Sequence, residues 1–95
     1  MGVANITNIR YSENISWTML GDEVFIFNEI TNEIFLLKGL MRDFWLLLLK
    51  YHNINEIISL LVFQNKCDLN SIESNISMKL ELYKEKKLII WDDIQ

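Results

Sequence analysis

The residues of this 95-residue chain that could perform chemistry are few and widely separated. His52 is the only histidine, and it lies 15 residues before Cys67, the only cysteine. No C-x-x-C, H-x-x-x-H or H-E-x-x-H pattern completes a metal site around them. The three glycines, Gly2, Gly21 and Gly39, are too scattered to form a phosphate-binding loop. The sequence therefore predicts no metal and no other cofactor.

The acidic residues also lack the arrangement of a catalytic pair. Glu81 and Glu85 stand four residues apart, and Asp92 and Asp93 are adjacent. Carboxylates spaced in this way usually form solvated faces. Because no pair is forced into a cleft, we expect a protein without enzymatic activity.

Composition narrows the class of protein further. A chain of this length with 51% hydrophobic residues can bury one core. Its net charge of −4 disfavours the phosphate attraction that dominates nucleic-acid binding. Cys67 alone cannot form an intrachain disulfide, which favours the cytoplasm. The most apolar run, residues 44–49, is far shorter than the ~20 residues of a membrane span, so we expect no membrane association.

Three segments rich in β-branched and aromatic residues predict a meander. Residues 15–20 and 23–28 flank Gly21-Asp22, a two-residue connection typical of a hairpin turn. Residues 33–37 form the third strand. Residues 1–12 have no clean period and are predicted to be a loose arm, with short strand pairing as the alternative.

Helical spacing replaces the strand pattern after the meander. Phe44 and Leu48 belong to an apolar stripe that continues almost all round the first helix, so this helix should be heavily buried. Asn53 and Glu56 have the spacing of a capping box and predict the start of a second helix over residues 54–63.

A third helix is predicted to start at the similar pair Asn70 and Glu73. Four of its residues form a core stripe at helical spacing: Ile72, Ile76, Leu80 and Tyr83. Met78 and Leu82 lie on a different face, where a solvated helix should be polar. Either a ligand covers them, or they pack under the first strands or the N-terminal arm.

Together these elements predict an α+β domain over residues 13–95. An N-terminal three-stranded antiparallel β-meander is followed by three helices in a winged helix-turn-helix arrangement. A short C-terminal strand or wing is expected at residues 88–91. This pattern describes a fold but identifies no function.

Several segments, in their order and spacing, resemble one known family. They are Glu33-Ile-Phe-Leu-Leu37, Trp45-Leu-Leu-Leu48, Asn53-Ile-Asn-Glu-Ile57, Asn75-Ile76, Leu80, Tyr83 and Leu88. From Trp17 to Ile90 the chain is similar to the PqqD-like family. These are the precursor-recognition domains of pathways that make ribosomally synthesised and post-translationally modified peptides (RiPPs).

The resemblance implies a stand-alone protein that binds the leader region of a precursor peptide. The leader would pair antiparallel with the third strand, against helix three, and the core peptide would be presented to a separate modifying enzyme. An edge strand offers free N–H and C=O groups for such pairing. The residues implied in peptide binding are Glu33, Ile34, Phe35, Leu36, Leu37, Asn75, Met78, Lys79 and Leu82.

Alternatives remain open at this point. Phe35 and Leu37 could be ordinary core residues, and Lys79 could be simply solvated. The chain could instead be a DNA-binding winged-helix regulator, although four lysines against three glutamates leave residues 70–87 a charge of only +1. A homodimer through the exposed strand edge is a further possible state without ligand. Finally, Lys87 stands where the family often has a helix-ending glycine.

Overall fold

The computed structural model describes residues 6–93, and its elements follow the α+β order predicted from the sequence. Along the chain they are β1 (Ile6–Tyr11), β2 (Ile15–Leu20), β3 (Glu23–Asn28), β4 (Ile34–Leu37), α1 (Leu40–Leu47), α2 (Ile54–Asn65), α3 (Leu69–Glu85) and β5 (Ile89–Asp93). The strands form two antiparallel sheets, one in the order β2-β3-β4 and one of β1 with β5. The predicted meander, the three helices and the fold class are confirmed.

The N-terminal segment is a strand and not a loose arm. β1 pairs with β5, and Ile9 in its middle is fully buried. The Ile9 N–H donates to the carbonyl oxygen of His52 at 3.0 Å, and His52 Nδ1 lies 2.9 Å from the carbonyl oxygen of Ile9. The loose-arm prediction is therefore wrong for residues 6–11, where the strand-pairing alternative holds. Residues 1–5 lie outside the described part of the chain.

A local irregularity explains why this strand was not evident from the sequence. The pairing register shifts between Thr7 and Arg10, and Asn8 between them has a positive φ of 54°. A bulge of this kind breaks the two-residue alternation by which a strand is recognised. The predicted C-terminal strand exists as β5, which is a sheet partner of β1.

The helix boundaries follow from their capping residues. Asn53 precedes α2 as predicted, and its side-chain oxygen accepts from the N–H groups of Asn55 and Glu56 at 2.9 and 3.2 Å. The start of α3 was predicted two residues too late. Its cap is Asp68, whose carboxylate accepts from the Ser71 N–H at 2.9 Å. Both Asp and Asn are good caps, so sequence preference alone does not choose between them.

The core lies between the inner face of the meander and the three helices. The predicted stripe of α3 is confirmed, since each of its four residues is buried. Burial raises the pKa of Tyr83 to about 12, so its phenol is neutral at physiological pH. The fully buried Trp45 of α1 stacks near Tyr11, with ring centroids 4.6 Å apart, and meets Trp17 edge-on at 6.1 Å. These contacts join both sheets to α1.

Candidate functional site

β4 forms one edge of the three-stranded sheet, and no described residue pairs with the edge of β4 that points away from β3. Next to the edge that pairs with β3, the Asn28 N–H donates to the carbonyl oxygen of Glu33 at 2.9 Å. Along an antiparallel ladder, residue pairs whose backbones hydrogen-bond each other alternate with pairs whose backbones do not. The backbones of Phe35 and Leu37 therefore form hydrogen bonds with β3. Ile34 and Leu36 consequently direct their backbone N–H and C=O groups away from the sheet.

The side chains of β4 divide between the two faces of the sheet. Ile34 and Leu36 lie on the outer face with 69% and 45% of their surfaces exposed. Phe35 is half-buried on the inner face, and Leu37 is only 4% exposed. The side chain of Leu37 therefore belongs to the core, as the alternative allowed, and a ligand could not reach it. Glu33, just before the strand, is exposed.

One face of α3 carries apolar side chains that the described chain leaves largely exposed. Met78 and Leu82 are 72% and 43% exposed, so residues 6–93 do not support the alternative that they pack under the first strands or the N-terminal arm. Lys86 follows at the same interval of four residues and thus continues this face. Its Nζ lies 3.8 Å from Oε2 of Glu33. This ion pair places the end of that face beside the start of β4.

Asn28 fixes this arrangement from inside the protein. It is the one buried polar residue identified in the described range. Its Nδ2 donates to the carbonyl oxygen of Lys86 at 2.9 Å, while its Oδ1 accepts from the N–H groups of Ile30 and Thr31. The side chain therefore holds the turn before β4 against the end of α3. Sequence reasoning missed this role, although the alternation from Val24 already placed Asn28 on the inner face.

The remaining predicted site residues, Asn75 and Lys79, are exposed on α3. Within residues 6–93, Lys79 forms no ion pair. Lys84, by contrast, lies 4.0 Å from a carboxylate oxygen of Asp93 and 4.3 Å from the ring centre of Trp91. Lys79 is thus available for a charged group on a ligand, whereas Lys84 is engaged within the protein.

The outer face of the sheet is also apolar near β4. Phe27 and Phe25 of β3 lie opposite Ile34 and Leu36 in the ladder. An open depression of about 360 Å³ lies on this face, with Phe27 and Ile34 among its walls. Sequence reasoning missed this surface. The uninterrupted apolar run over residues 24–27 was the available signal, because a strand that faces water on one side should alternate.

The site offers backbone hydrogen-bonding groups, apolar surface and one free ammonium group. Within the described residues, no three His, Cys, Asp or Glu side chains are placed to hold a metal ion. Cys67 is exposed. No helix in residues 6–93 has both the length and the apolar character needed to span a membrane.

Comparison with known proteins identifies a shared fold. No family model matches the chain, and no curated protein does, so the PqqD-like resemblance stays a prediction. A solved structure, TbiB1 in complex with the TbiA(beta) leader peptide, is similar to this chain with a TM-score of 0.79. The two are 21% identical, and the match covers 84% of this chain and 93% of that one. The likeness extends over nearly the whole domain and shows that the two chains have the same fold.

Proposed function

We propose that this chain is a stand-alone RiPP recognition protein of the cytoplasm, which binds the leader of a precursor peptide as an extra antiparallel strand on β4. The observation that carries the proposal is the free backbone of Ile34 and Leu36, together with the exposed apolar face of Met78 and Leu82, whose end the Lys86–Glu33 ion pair joins to the start of β4. The fold supports it, because TbiB1 shares this fold and its structure contains a leader peptide. The chain itself catalyses nothing; a separate enzyme modifies the core peptide.

The dimensions of the site suit a short extended segment. The four residues of β4 extend over roughly 13 Å at about 3.3 Å per residue. From Met78 to Lys86, α3 rises about 12 Å at 1.5 Å per residue. A leader segment of four or five residues could therefore contact both elements along their length. Backbone pairing would supply affinity, and the side chains of α3 would supply selectivity.

The energetics favour reversible capture. Fully covering an exposed apolar side chain such as Met78 is worth about 1.5–3 kcal/mol. Ordering a disordered leader costs on the order of 2–5 kcal/mol of the gross interaction. The small site therefore holds the leader without trapping it, so that the modified product can be released. If Lys79 meets an acidic leader residue at the surface, we expect a contribution of only ~0.2–1 kcal/mol.

The DNA-binding alternative receives no support from α3. Lys84 and Lys86, two of the four lysines in residues 70–87, are engaged with Asp93 and Glu33. The whole chain carries a charge of −4. Neither the described lysines of this segment nor the overall negative charge therefore favours the attraction of phosphates.

The test is a titration of the purified protein with synthetic leader segments encoded by short reading frames beside its gene. Random duplex DNA serves as the competing ligand. We expect Met78→Glu and Leu82→Glu each to weaken leader binding at least about tenfold, because each places a charge on the apolar face of α3 that is proposed to contact the leader. Phe63→Glu is the matched control, since Phe63 is 82% exposed and belongs to α2, which is not part of the proposed site.

Binding to DNA and to no leader would overturn the proposal. Unchanged affinity in both α3 variants would show that the leader binds elsewhere. Sedimentation of the free and leader-bound protein tests the homodimer in the same samples. If two copies pair through β4 without ligand, added leader should convert the dimer to a monomer.

A further inference from the structure

Two rows of residues across the outer face of the meander are polar on β2 and apolar on β3 and β4. In these rows Ser16 and Thr18 of β2 lie opposite Phe27 and Phe25 of β3, whereas the apolar Leu20 of β2 lies in the next row, opposite Glu23. Those phenylalanines in turn lie opposite Ile34 and Leu36 of β4. The apolar surface therefore increases from β2 towards the free edge of β4, where the most exposed of these side chains, Ile34, stands.

A second copy of the chain would not be held by this surface alone. The apolar part is two strands wide and two residue pairs long, which gives roughly 10 Å by 14 Å. A stable interface needs about 800 Å² from each partner, several times this area. The position of the surface at the edge points to a narrower occupant that continues the sheet.

A strand added to β4 would continue the apolar surface through its own side chains. Successive residues of a strand point to opposite faces. Residues paired with Ile34 and Leu36 would lie on the outer face beside them, with Cβ atoms about 4.5–5.5 Å apart. The intervening residues would lie on the inner side with Phe35, towards Met78 and Leu82 of α3, in the groove that the proposed function places between β4 and this helix.

We infer that the segment bound by β4 has apolar side chains at consecutive positions, one alternate set in the groove and the other against Ile34 and Leu36. This inference rests on the proposed function and names the chemical class of the peptide. A segment that alternates apolar and polar residues would fill the groove but leave the outer surface in contact with water. The outer face therefore adds a second requirement to the selection of leaders.

Two synthetic probes separate these cases. The first has Val, Ile or Leu at five consecutive positions, and the second replaces positions two and four by Ser, both with flanking Lys for solubility. A shift of one residue exchanges the two faces of a strand, so the alternating probe can always direct its apolar set into the groove. We expect the continuous probe to bind about tenfold more tightly, as the additional covered apolar surface predicts.

Protein variants show which face is responsible. Leu36→Ser keeps the backbone N–H, and we expect it to weaken binding of the continuous probe far more than binding of the alternating probe, so that most of the difference between the two probes is lost. Ile34→Ser should act in the same way, and it provides a second variant if Leu36→Ser has too low a melting temperature for the titration. Leu49→Ser is the matched control, because Leu49 is 63% exposed but lies in the turn after α1, outside both sheets.

The outcomes are distinct. Equal affinity for the two probes, with no effect of either β4 variant, would overturn this inference and leave peptide capture standing. Binding of neither probe, together with no binding of the encoded leaders, would overturn the proposed function itself. A tenfold difference that persists in both β4 variants would place the second apolar set somewhere other than the outer face, which also contradicts the inference.

Discussion

At the C-terminal end of α3, Lys87 adopts a left-handed conformation with φ of 62°. The Leu88 N–H donates to the carbonyl oxygen of Tyr83 at 2.9 Å, and the Lys87 N–H donates to that of Lys84 at 3.0 Å. This pair of hydrogen bonds is the Schellman motif, whose left-handed position is usually glycine. The helix thus ends in a Schellman motif despite the lysine, at a conformational cost of about 1 kcal/mol.

Replacing Lys87 by glycine should relieve that cost. We expect Lys87→Gly to raise the free energy of unfolding by about 0.5–1 kcal/mol, measured by urea denaturation. Glu81→Gly, at an exposed position inside α3, should lower it by a similar amount because glycine is unfavourable in a helix interior. A destabilised Lys87→Gly protein would mean that the side chain contributes more than the backbone strain costs.

Asp68 makes the stability of α3 depend on pH. The Ser71 N–H and hydroxyl donate to its carboxylate and hold the pKa of Asp68 below the ordinary value of 3.8. Because the folded-state pKa is lowered, the carboxylate stabilises the fold above pH 4 and loses this effect as pH falls through the folded-state pKa. In urea denaturation, the stability difference between the wild type and Asp68→Asn should shrink over that acid range. A difference that stays constant would contradict this.

Among the elements, β4 makes the sharpest prediction because its backbone is proposed to bind. Leu36→Pro removes the N–H that points away from the sheet, and proline is tolerated at such edge positions. Leu36→Ala removes the same side chain but keeps the N–H. We expect Leu36→Pro to bind the leader about five- to tenfold more weakly than Leu36→Ala, the effect of one hydrogen bond of ~1 kcal/mol or slightly more. Calorimetric titration gives both affinities, and equal values would exclude strand addition at this position.

At the scale of the whole molecule, the β1–β5 sheet ties the N-terminal segment to the end of the chain. Ile9 is fully buried between this sheet and the helical layer. We expect Ile9→Ala to cost about 2–5 kcal/mol, because it leaves a cavity in a packed core. For a domain of this size each kcal/mol lowers the melting temperature by roughly 4–8 °C. Thr7→Ala, on an exposed position of the same strand, should be nearly neutral; a loose arm would make both changes neutral.

Features that depend on residues close together in the chain were predicted correctly from the sequence, and features that depend on distant residues were not. The hairpin around Gly21, the Asn53 cap and the buried stripe of α3 depend on neighbours within a few residues, and all three were predictable. β1 was not, since its strand geometry depends on β5 some 80 residues away. For the site, the sequence identified Met78 and Leu82 as apolar residues on a face of α3 that should be polar. It did not indicate which part of the chain lies near that face.

The sequence by itself determined the fold class, the scarcity of residues that could do chemistry and the presence of an unexplained apolar pair on α3. Local periodicity and capping depend on residue type and spacing, which the sequence states directly. Only the tertiary structure decided that β4 is an edge, that Ile34 and Leu36 present its free backbone, and that Asn28 and Lys86 hold α3 beside it. Those facts depend on contacts between residues distant in the chain, and no local pattern encodes which segments will meet.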